Sequence, residues 1–152
     1  MGLSVSASSP HEEQEQKAIG KKISRIDTGS ILVLDDDFDI NNIIKMSLQK
    51  QGFHVFGFTD PLLALEHFKA NCDTCDLVIS DWRMPTMNGL KFLQNITKIK
   101  PTTKILLMSA FNVEEDQEYS ELSKEINISG FIQKPVSMRR FSQIIRSNII
   151  EK

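Results

Sequence analysis

The chain has 152 residues, of which 40% are hydrophobic and 25% charged, and its 18 basic and 20 acidic side chains give a net charge of −2 at pH 7. This length suits one domain that buries roughly 70% of its unfolded surface, and the composition excludes collagen-like, low-complexity and wholly disordered chains. A nearly neutral chain lacks the basic surface of a free-standing nucleic-acid binder, and its longest aliphatic runs are far shorter than the ~20 residues that span a membrane.

Residues 1–29 are rich in Ser, Glu, Gln and Lys and hold few apolar side chains. This composition predicts a disordered N-terminal tail, followed by a single domain over residues 30–152. The chain starts with the minimal N-myristoylation pattern, with Gly2 as the acceptor, a pattern that is common by chance. No apolar core precedes a cleavage site, so we expect a cytoplasmic protein.

Short apolar runs alternate with stretches of helical periodicity from residue 31 onward. The apolar runs predict strands over residues 31–34, 53–58, 77–79, 105–108 and 130–133. Capping residues mark the helix after each strand: Gly52 ends the first, Asp60 with Pro61 begins the second, Asn88 the third, Asn112 with Glu115 the fourth, and Ser137 the last. Five such units predict an α/β fold in which helices cover both faces of a doubly wound parallel sheet.

Polar side chains stand at the carboxyl ends of four predicted strands, where ligands bind in a doubly wound sheet. They are Asp35, Asp36 and Asp37 after the first strand, Asp81 after the third, Ser109 after the fourth and Lys134 after the fifth. Carboxylates ~4 Å apart repel each other by about 4 kcal/mol at an effective dielectric of ~20, so clustered acids need a counter-cation. Their hard oxygen atoms favour Mg²⁺, and a lysine and a hydroxyl can hold the remaining oxygens of a phosphate.

Each of these features alone has a simpler explanation. An Asp triplet after a strand can be a solvated turn, a Ser at a strand end is often a helix cap, and a Lys before a Pro is usually a surface residue. Their joint occurrence at four strand ends favours a site built for a phosphoryl group.

Four stretches of the chain resemble the receiver domain of two-component response regulators, a CheY-like domain: residues 31–37, 76–90, 105–110 and 130–135. The resemblance extends over residues 31–150, with the order and spacing that the family requires. It implies a five-stranded, flavodoxin-like sheet of order 2-1-3-4-5. It also implies a signalling phosphoacceptor of a two-component system rather than an enzyme, one that catalyses only its own phosphorylation and dephosphorylation.

The resemblance implies a phosphoacceptor and a metal site. Asp81 looks like the residue that is phosphorylated. Asp35 and Asp36, together with Asp81 and the backbone carbonyl of Arg83, look like the ligands of Mg²⁺, with Mn²⁺ as the alternative ion.

The resemblance also implies the groups that read the phosphate. Ser109 matches the switch hydroxyl, Lys134 the phosphate-binding lysine and Phe131 the switch aromatic, and the bond before Pro135 matches a cis peptide. The family often has Tyr at the aromatic position and Thr at the hydroxyl position. Arg83 and Phe111 flank the phosphate by resemblance, and we expect them to slow its hydrolysis.

The expected partners are proteins. The resemblance implies a histidine kinase or a phosphotransfer protein as the phosphoryl donor, and a downstream protein that binds the surface of the fourth helix, fifth strand and fifth helix. The chain ends two residues past its last predicted helix, so we expect output through a partner, with no direct contact to nucleic acid or membrane.

Other functions stay open at this point. The domain could be a phosphorelay intermediate or a pseudo-receiver that never accepts phosphate, although pseudo-receivers usually lack part of the site. A haloacid-dehalogenase-type phosphatase fits residues 34–37, Ser109 and Lys134, but it needs an acidic pair after the lysine, where only Glu151 follows. Cys72 and Cys75 form a C-x-x-C, which is either a zinc or redox motif or simply two loop thiols.

Overall fold

The computed structural model describes residues 30–85, 87–135 and 137–149, so the predicted tail over residues 1–29 lies outside the described residues. The strands are β1 (Ser30–Leu34), β2 (His54–Phe58), β3 (Cys75–Asp81), β4 (Lys104–Ser109) and β5 (Gly130–Gln133). The α-helices are α1 (Phe38–Lys50), α2 (Pro61–Asn71), α3 (Gly89–Ile99), α4 (Gln117–Leu122) and α5 (Met138–Ile149). Short 3-10 turns span Cys72–Thr74, Val113–Glu115 and Ser123–Glu125.

The five strands form one parallel sheet in the order β2-β1-β3-β4-β5, which confirms the predicted fold. The strands β1 and β3 lie side by side at its centre, and Leu34 of β1 is in register with Ser80 of β3. Because all strands are parallel, their carboxyl ends meet at one edge of the sheet. Residues that are far apart in the sequence therefore come together there.

Two hydrophobic cores lie on the two faces of the sheet. On one face, α1 and α5 pack side chains such as Ile44 and Phe141 against Val33. On the other face, Phe68 of α2 and Phe92 of α3 pack around Trp82. Burial on both faces explains why the central strands are continuously apolar rather than alternating.

Most helix ends follow the sequence prediction. Asp60 and Asn88 accept hydrogen bonds from the backbone N–H of Leu62 and Leu90, as capping residues do. The Ser137 hydroxyl accepts from the N–H of Arg140 at the start of α5. Gly52 has a φ of 96°, the left-handed conformation that ends α1.

The predicted start of the fourth helix is wrong. Val113–Glu115 forms a 3-10 turn, and α4 begins only at Gln117. Asp116 is the N-cap, because its carboxylate accepts hydrogen bonds from the backbone N–H groups of Glu118 and Tyr119. An acid that satisfies two amide donors at the positive end of a helix stabilises the helix start at this position.

In the part of the chain that the structure describes, every helix is too short or too polar to cross a membrane.

Candidate functional site

Three carboxylates lie together where β1 and β3 end. Asp35 and Asp36 follow β1, and Asp81 is the last residue of β3, so the pairing of these two strands brings the acids together. One oxygen atom from each carboxylate lies within 4.8 Å of the others. Asp35 is 0% exposed and Asp81 is 8% exposed, whereas Asp36 is open to solvent.

The Lys134 ammonium is the counter-charge of the two buried acids. Its Nζ lies 2.8 Å from Asp35 Oδ2 and 3.3 Å from Asp81 Oδ1. The backbone N–H of Lys134 donates to Ser109 O at 2.8 Å, and the Lys134–Pro135 peptide bond is cis. The lysine follows the edge strand β5 and reaches back across β4 to the centre of the sheet.

The charges at this site are strongly coupled. Burial, and then the charge of Asp35, raise the pKa of Asp81 to about 6, although Lys134 opposes the shift. Burial alone would lower the pKa of Lys134, but its hydrogen bonds and ion pairs with Asp35 and Asp81 outweigh burial and raise it. The Lys134 ammonium therefore stays protonated, and the three carboxylates carry more negative charge than this one ammonium can balance.

The donor set of this cluster fits a small divalent cation. Carboxylate oxygens are the hard ligands that Mg²⁺ prefers, and Mg²⁺ needs only a few protein ligands because it keeps several waters. One solvent-exposed acid beside two buried ones leaves an open side for those waters and for a phosphate. The predicted residues Asp35, Asp36 and Asp81 are thus brought together as such a site requires.

Backbone hydrogen bonds orient the two buried acids. The N–H of Asp37 donates to Asp35 Oδ1 at 2.9 Å, and the N–H of Trp82 donates to Asp81 Oδ1 at 3.0 Å. Gly89 lets the loop after β3 close tightly, since its N–H donates to Trp82 O at 2.6 Å and a Cβ there would overlap the backbone of Asp81 and Trp82. These contacts fix the carboxylates before any ligand arrives.

Ser109 and Phe131 stand on the β4–β5 side of the cluster. The Ser109 hydroxyl is buried and accepts a hydrogen bond from the N–H of Phe111 at 3.0 Å. Phe131 is 38% exposed, and its ring meets the Tyr119 ring edge-on at 5.4 Å between centroids. Both residues line a surface cavity beside Phe111. Phe111 is 62% exposed, so it is not part of the hydrophobic core.

Arg83 contacts the start of α4. Its Nη2 atom lies 3.2 Å from Asp116 Oδ2, and its guanidinium stacks over the Trp82 ring at 4.6 Å. The expected position of Arg83 over a phosphoryl group therefore stays a prediction. No pattern in the sequence predicts this ion pair, because the two residues are 33 positions apart.

The two cysteines are free thiols. Cys75 is buried, and burial raises the pKa of its thiol to about 11, so it is protonated and unreactive at neutral pH. The Lys100 ammonium donates to the backbone carbonyls of Cys72 and Cys75 at 2.8 and 3.0 Å. Among the described residues, the acid cluster at β1 and β3 is the only group of three or more metal-ligating side chains, and neither cysteine belongs to it.

Asn41 is a buried polar residue that no motif in the sequence marks as part of the site. Its side-chain amide donates to the backbone carbonyls of Asp35 and Phe58, at the ends of β1 and β2. The sequence holds one indirect signal, Gly57, since a glycine inside a strand often marks the close approach of another group.

Comparisons with known proteins identify relatives across most of the chain. A family model for the response regulator receiver domain matches residues 31–146. A two-component response regulator of Arabidopsis thaliana, ARR21, is 32% identical over 123 residues, which are 81% of this chain and 19% of that protein. The response regulator receiver protein CpdR of Brucella abortus is 26% identical over 120 residues, which are 79% of this chain and 96% of that protein.

A solved structure matches the fold. The response regulator protein TrrA of Thermotoga maritima, in complex with Mg²⁺ and BeF, is similar with a TM-score of 0.65 and 26% sequence identity, over 78% of this chain and 97% of that chain. The chain spans less than half the length of most of the curated relatives that it matches.

Proposed function

We propose, from the premise that this chain belongs to the response regulator receiver domain family of two-component signalling, that Asp81 accepts a phosphoryl group from a histidine kinase or a phosphotransfer protein. The observation that carries the proposal is the Asp81 carboxylate, held beside two further acids and one lysine at the edge of the sheet. Receiver domains are signalling phosphoacceptors, and the function proposed here is therefore a switch rather than turnover of a separate substrate.

Phosphoryl transfer to Asp81 is a displacement at phosphorus. A carboxylate oxygen of Asp81 attacks the phosphorus of a phosphohistidine, the P–N bond breaks, and the imidazole leaves with its electron pair. The product is an acyl phosphate on Asp81. The Lys134 ammonium, already within 3.3 Å of Asp81, neutralises charge on the phosphoryl oxygens, and the Ser109 hydroxyl can donate to another of them.

The family implies Mg²⁺ at this site, with Mn²⁺ as an alternative. We assign its binding to Asp35, Asp36 and Asp81, with the backbone carbonyl of Arg83 as a further ligand. When bound, the ion supplies positive charge to the phosphoryl oxygens. The acid cluster supports this assignment, as does the Mg²⁺ complex of the relative TrrA.

The output of the switch is a change of surface. Once the phosphoryl group draws Ser109 towards it, Phe131 can leave its contact with Tyr119 and turn inward. This movement would repack α4, β5 and α5, the surface that we assign to a downstream protein. Transfer of the phosphoryl group onward in a phosphorelay uses the same chemistry in reverse.

A labelling experiment tests the proposal. The protein is incubated with radiolabelled acetyl phosphate and Mg²⁺, and we expect incorporation that is lost in Asp81→Asn, whose nearly isosteric amide is not a nucleophile. Asp73→Asn, at an exposed acid in the turn before β3, is the matched control and should label as the wild type does. A stable label that persists in Asp81→Asn would identify a different acceptor and refute the assignment. A wild type that never labels would indicate a pseudo-receiver.

A further inference from the structure

Asn41 joins the carboxyl ends of β1 and β2 from beneath the acid cluster. It lies on α1, is 5% exposed, and its Nδ2 donates to Phe58 O at 2.5 Å and to Asp35 O at 3.2 Å. The N–H of Asp35 donates to the same Phe58 carbonyl at 3.1 Å. Asn41 therefore bonds the Asp35 carbonyl directly, and it also bonds the Phe58 carbonyl that accepts from the Asp35 N–H.

Gly57 makes the space that Asn41 occupies. A Cβ atom at Gly57 would overlap Asn41 Oδ1, well inside van der Waals contact. Gly57 has no left-handed φ, so ordinary side chains fit its backbone conformation. The glycine is thus explained by the amide that packs against it and not by the shape of the strand.

The turn after β1 shows what this arrangement positions. Asp37 caps α1 through the N–H groups of Asp39 and Ile40, and its own N–H donates to Asp35 Oδ1. Asp36 stands between two residues that are fixed by hydrogen bonds, yet its own side chain is exposed. A shift of the Asp35 backbone would move both metal-ligating acids of this turn relative to Asp81.

We infer that Asn41, with Gly57 as the residue that accommodates it, is a positioning residue for the cation site. The inference rests on the proposed function and extends it to residues that contact neither metal nor phosphate. Groups that hold metal ligands in place typically contribute roughly 10–100-fold to metal affinity. Loss of the Asn41 amide should weaken cation binding by an amount in this range.

Mg²⁺ titration of the full chain tests the inference without phosphorylation. Trp82 is the single tryptophan and follows Asp81 directly, so its fluorescence reports binding at the cluster. We expect Asn41→Ala to raise the dissociation constant for Mg²⁺ at least about tenfold. Asn42→Ala, at the exposed neighbour on the same helix, is the matched control and should titrate as the wild type does.

Gly57→Ala tests the same contact from its other side without removing any atom of Asn41. We expect weaker Mg²⁺ binding in Gly57→Ala, but no further weakening when this change is added to Asn41→Ala, because the added methyl group then meets no amide. Amide hydrogen exchange at Asp35 should accelerate in both single variants, since its bond to Phe58 O loses support.

The outcomes separate this inference from the proposed function. A wild type without any Mg²⁺ response contradicts the proposed function itself. If the wild type responds, and the folded Asn41→Ala and Gly57→Ala proteins bind Mg²⁺ with unchanged affinity, only the inference is overturned. This holds even if the two variants have lower free energies of unfolding than the wild type. Additive effects of the two changes would also overturn it. If Asn41→Ala fails to fold, unchanged Mg²⁺ affinity in Gly57→Ala is sufficient to refute it.

Discussion

Replacement of Asp81 by asparagine should stabilise the folded protein at neutral pH. The carboxyl has an ordinary pKa of 3.8, and burial together with the charge of Asp35 raises it to about 6 in the folded state. The folded protein therefore binds a proton at Asp81 more tightly than the unfolded chain does. Stability from this group is fully present below about pH 4 and is lost as pH rises to about 6.

The size of the effect follows from the two pKa values. The difference between 3.8 and about 6 corresponds to about 3 kcal/mol, at about 1.4 kcal/mol for each tenfold change in proton affinity. The side chain of Asp81 is largely buried, so solvent screens this energy only in part. An amide at position 81 cannot ionise. We therefore expect the free energy of unfolding of Asp81→Asn to exceed that of the wild type by about 2–3 kcal/mol at pH 7.5.

Urea unfolding, followed by circular dichroism without divalent cations, measures this difference. At pH 4 the two proteins should unfold with nearly equal free energies, and the gap should open between pH 4 and pH 6. Titrating groups away from the acid cluster contribute equally to both proteins and cancel. Asp36→Asn is the matched control, since this acid is exposed and its replacement should change stability far less.

Mg²⁺ should raise the free energy of unfolding of the wild type and thereby reduce its difference from Asp81→Asn. An ion that binds only the folded protein adds about 2.7 kcal/mol at 100 times its dissociation constant. A variant that is no more stable than the wild type at pH 7.5, or a difference that does not vary with pH, would show that Asp81 is not held at an electrostatic cost and would refute this reasoning.

Three further predictions concern other parts of the molecule. Gly89→Ala should lower the free energy of unfolding by about 1–3 kcal/mol, because a Cβ would overlap the backbone of Asp81 and Trp82; an unchanged urea midpoint would contradict it. Phe141→Ala should lower the free energy of unfolding by about 3–5 kcal/mol in the same measurement, since the ring is fully buried between α5 and the sheet. Phe111→Ala and Arg83→Asn should each shorten the lifetime of the acyl phosphate, because crowding of the attacking water slows hydrolysis; equal half-lives in all three proteins would exclude such shielding.

The sequence predicts the parts of this structure that depend on local pattern. Apolar runs and capping residues locate every strand and most helix ends, because each signal lies within a few residues of the element that it marks. The gathering of Asp35, Asp81 and Lys134 also follows from the sequence, since parallel strands bring their carboxyl ends to one edge.

What the sequence does not predict depends on tertiary contact. The start of α4 is ambiguous because Asn112 and Asp116 are both good capping residues, and only the folded turn decides between them. The ion pair of Arg83 with Asp116 joins two loops that no periodicity connects. Asn41 is a polar residue on an amphipathic helix, and nothing nearby in the sequence shows that its amide faces two carbonyls.

The burial of Asp35 has a consequence for how the chain folds. This carboxylate stands at the end of the first described strand, and the ammonium that neutralises it arrives 99 residues later, after the edge strand. A carboxylate without its partner costs several kcal/mol to bury, so a partly folded chain that lacks β5 must keep this end of the sheet hydrated. During synthesis the early strands can pair and collapse, but the site closes only when the last β/α unit docks. The proposed phosphorylation of Asp81 would therefore require the completed fold, because Lys134 reaches the acid cluster only after β5 has formed.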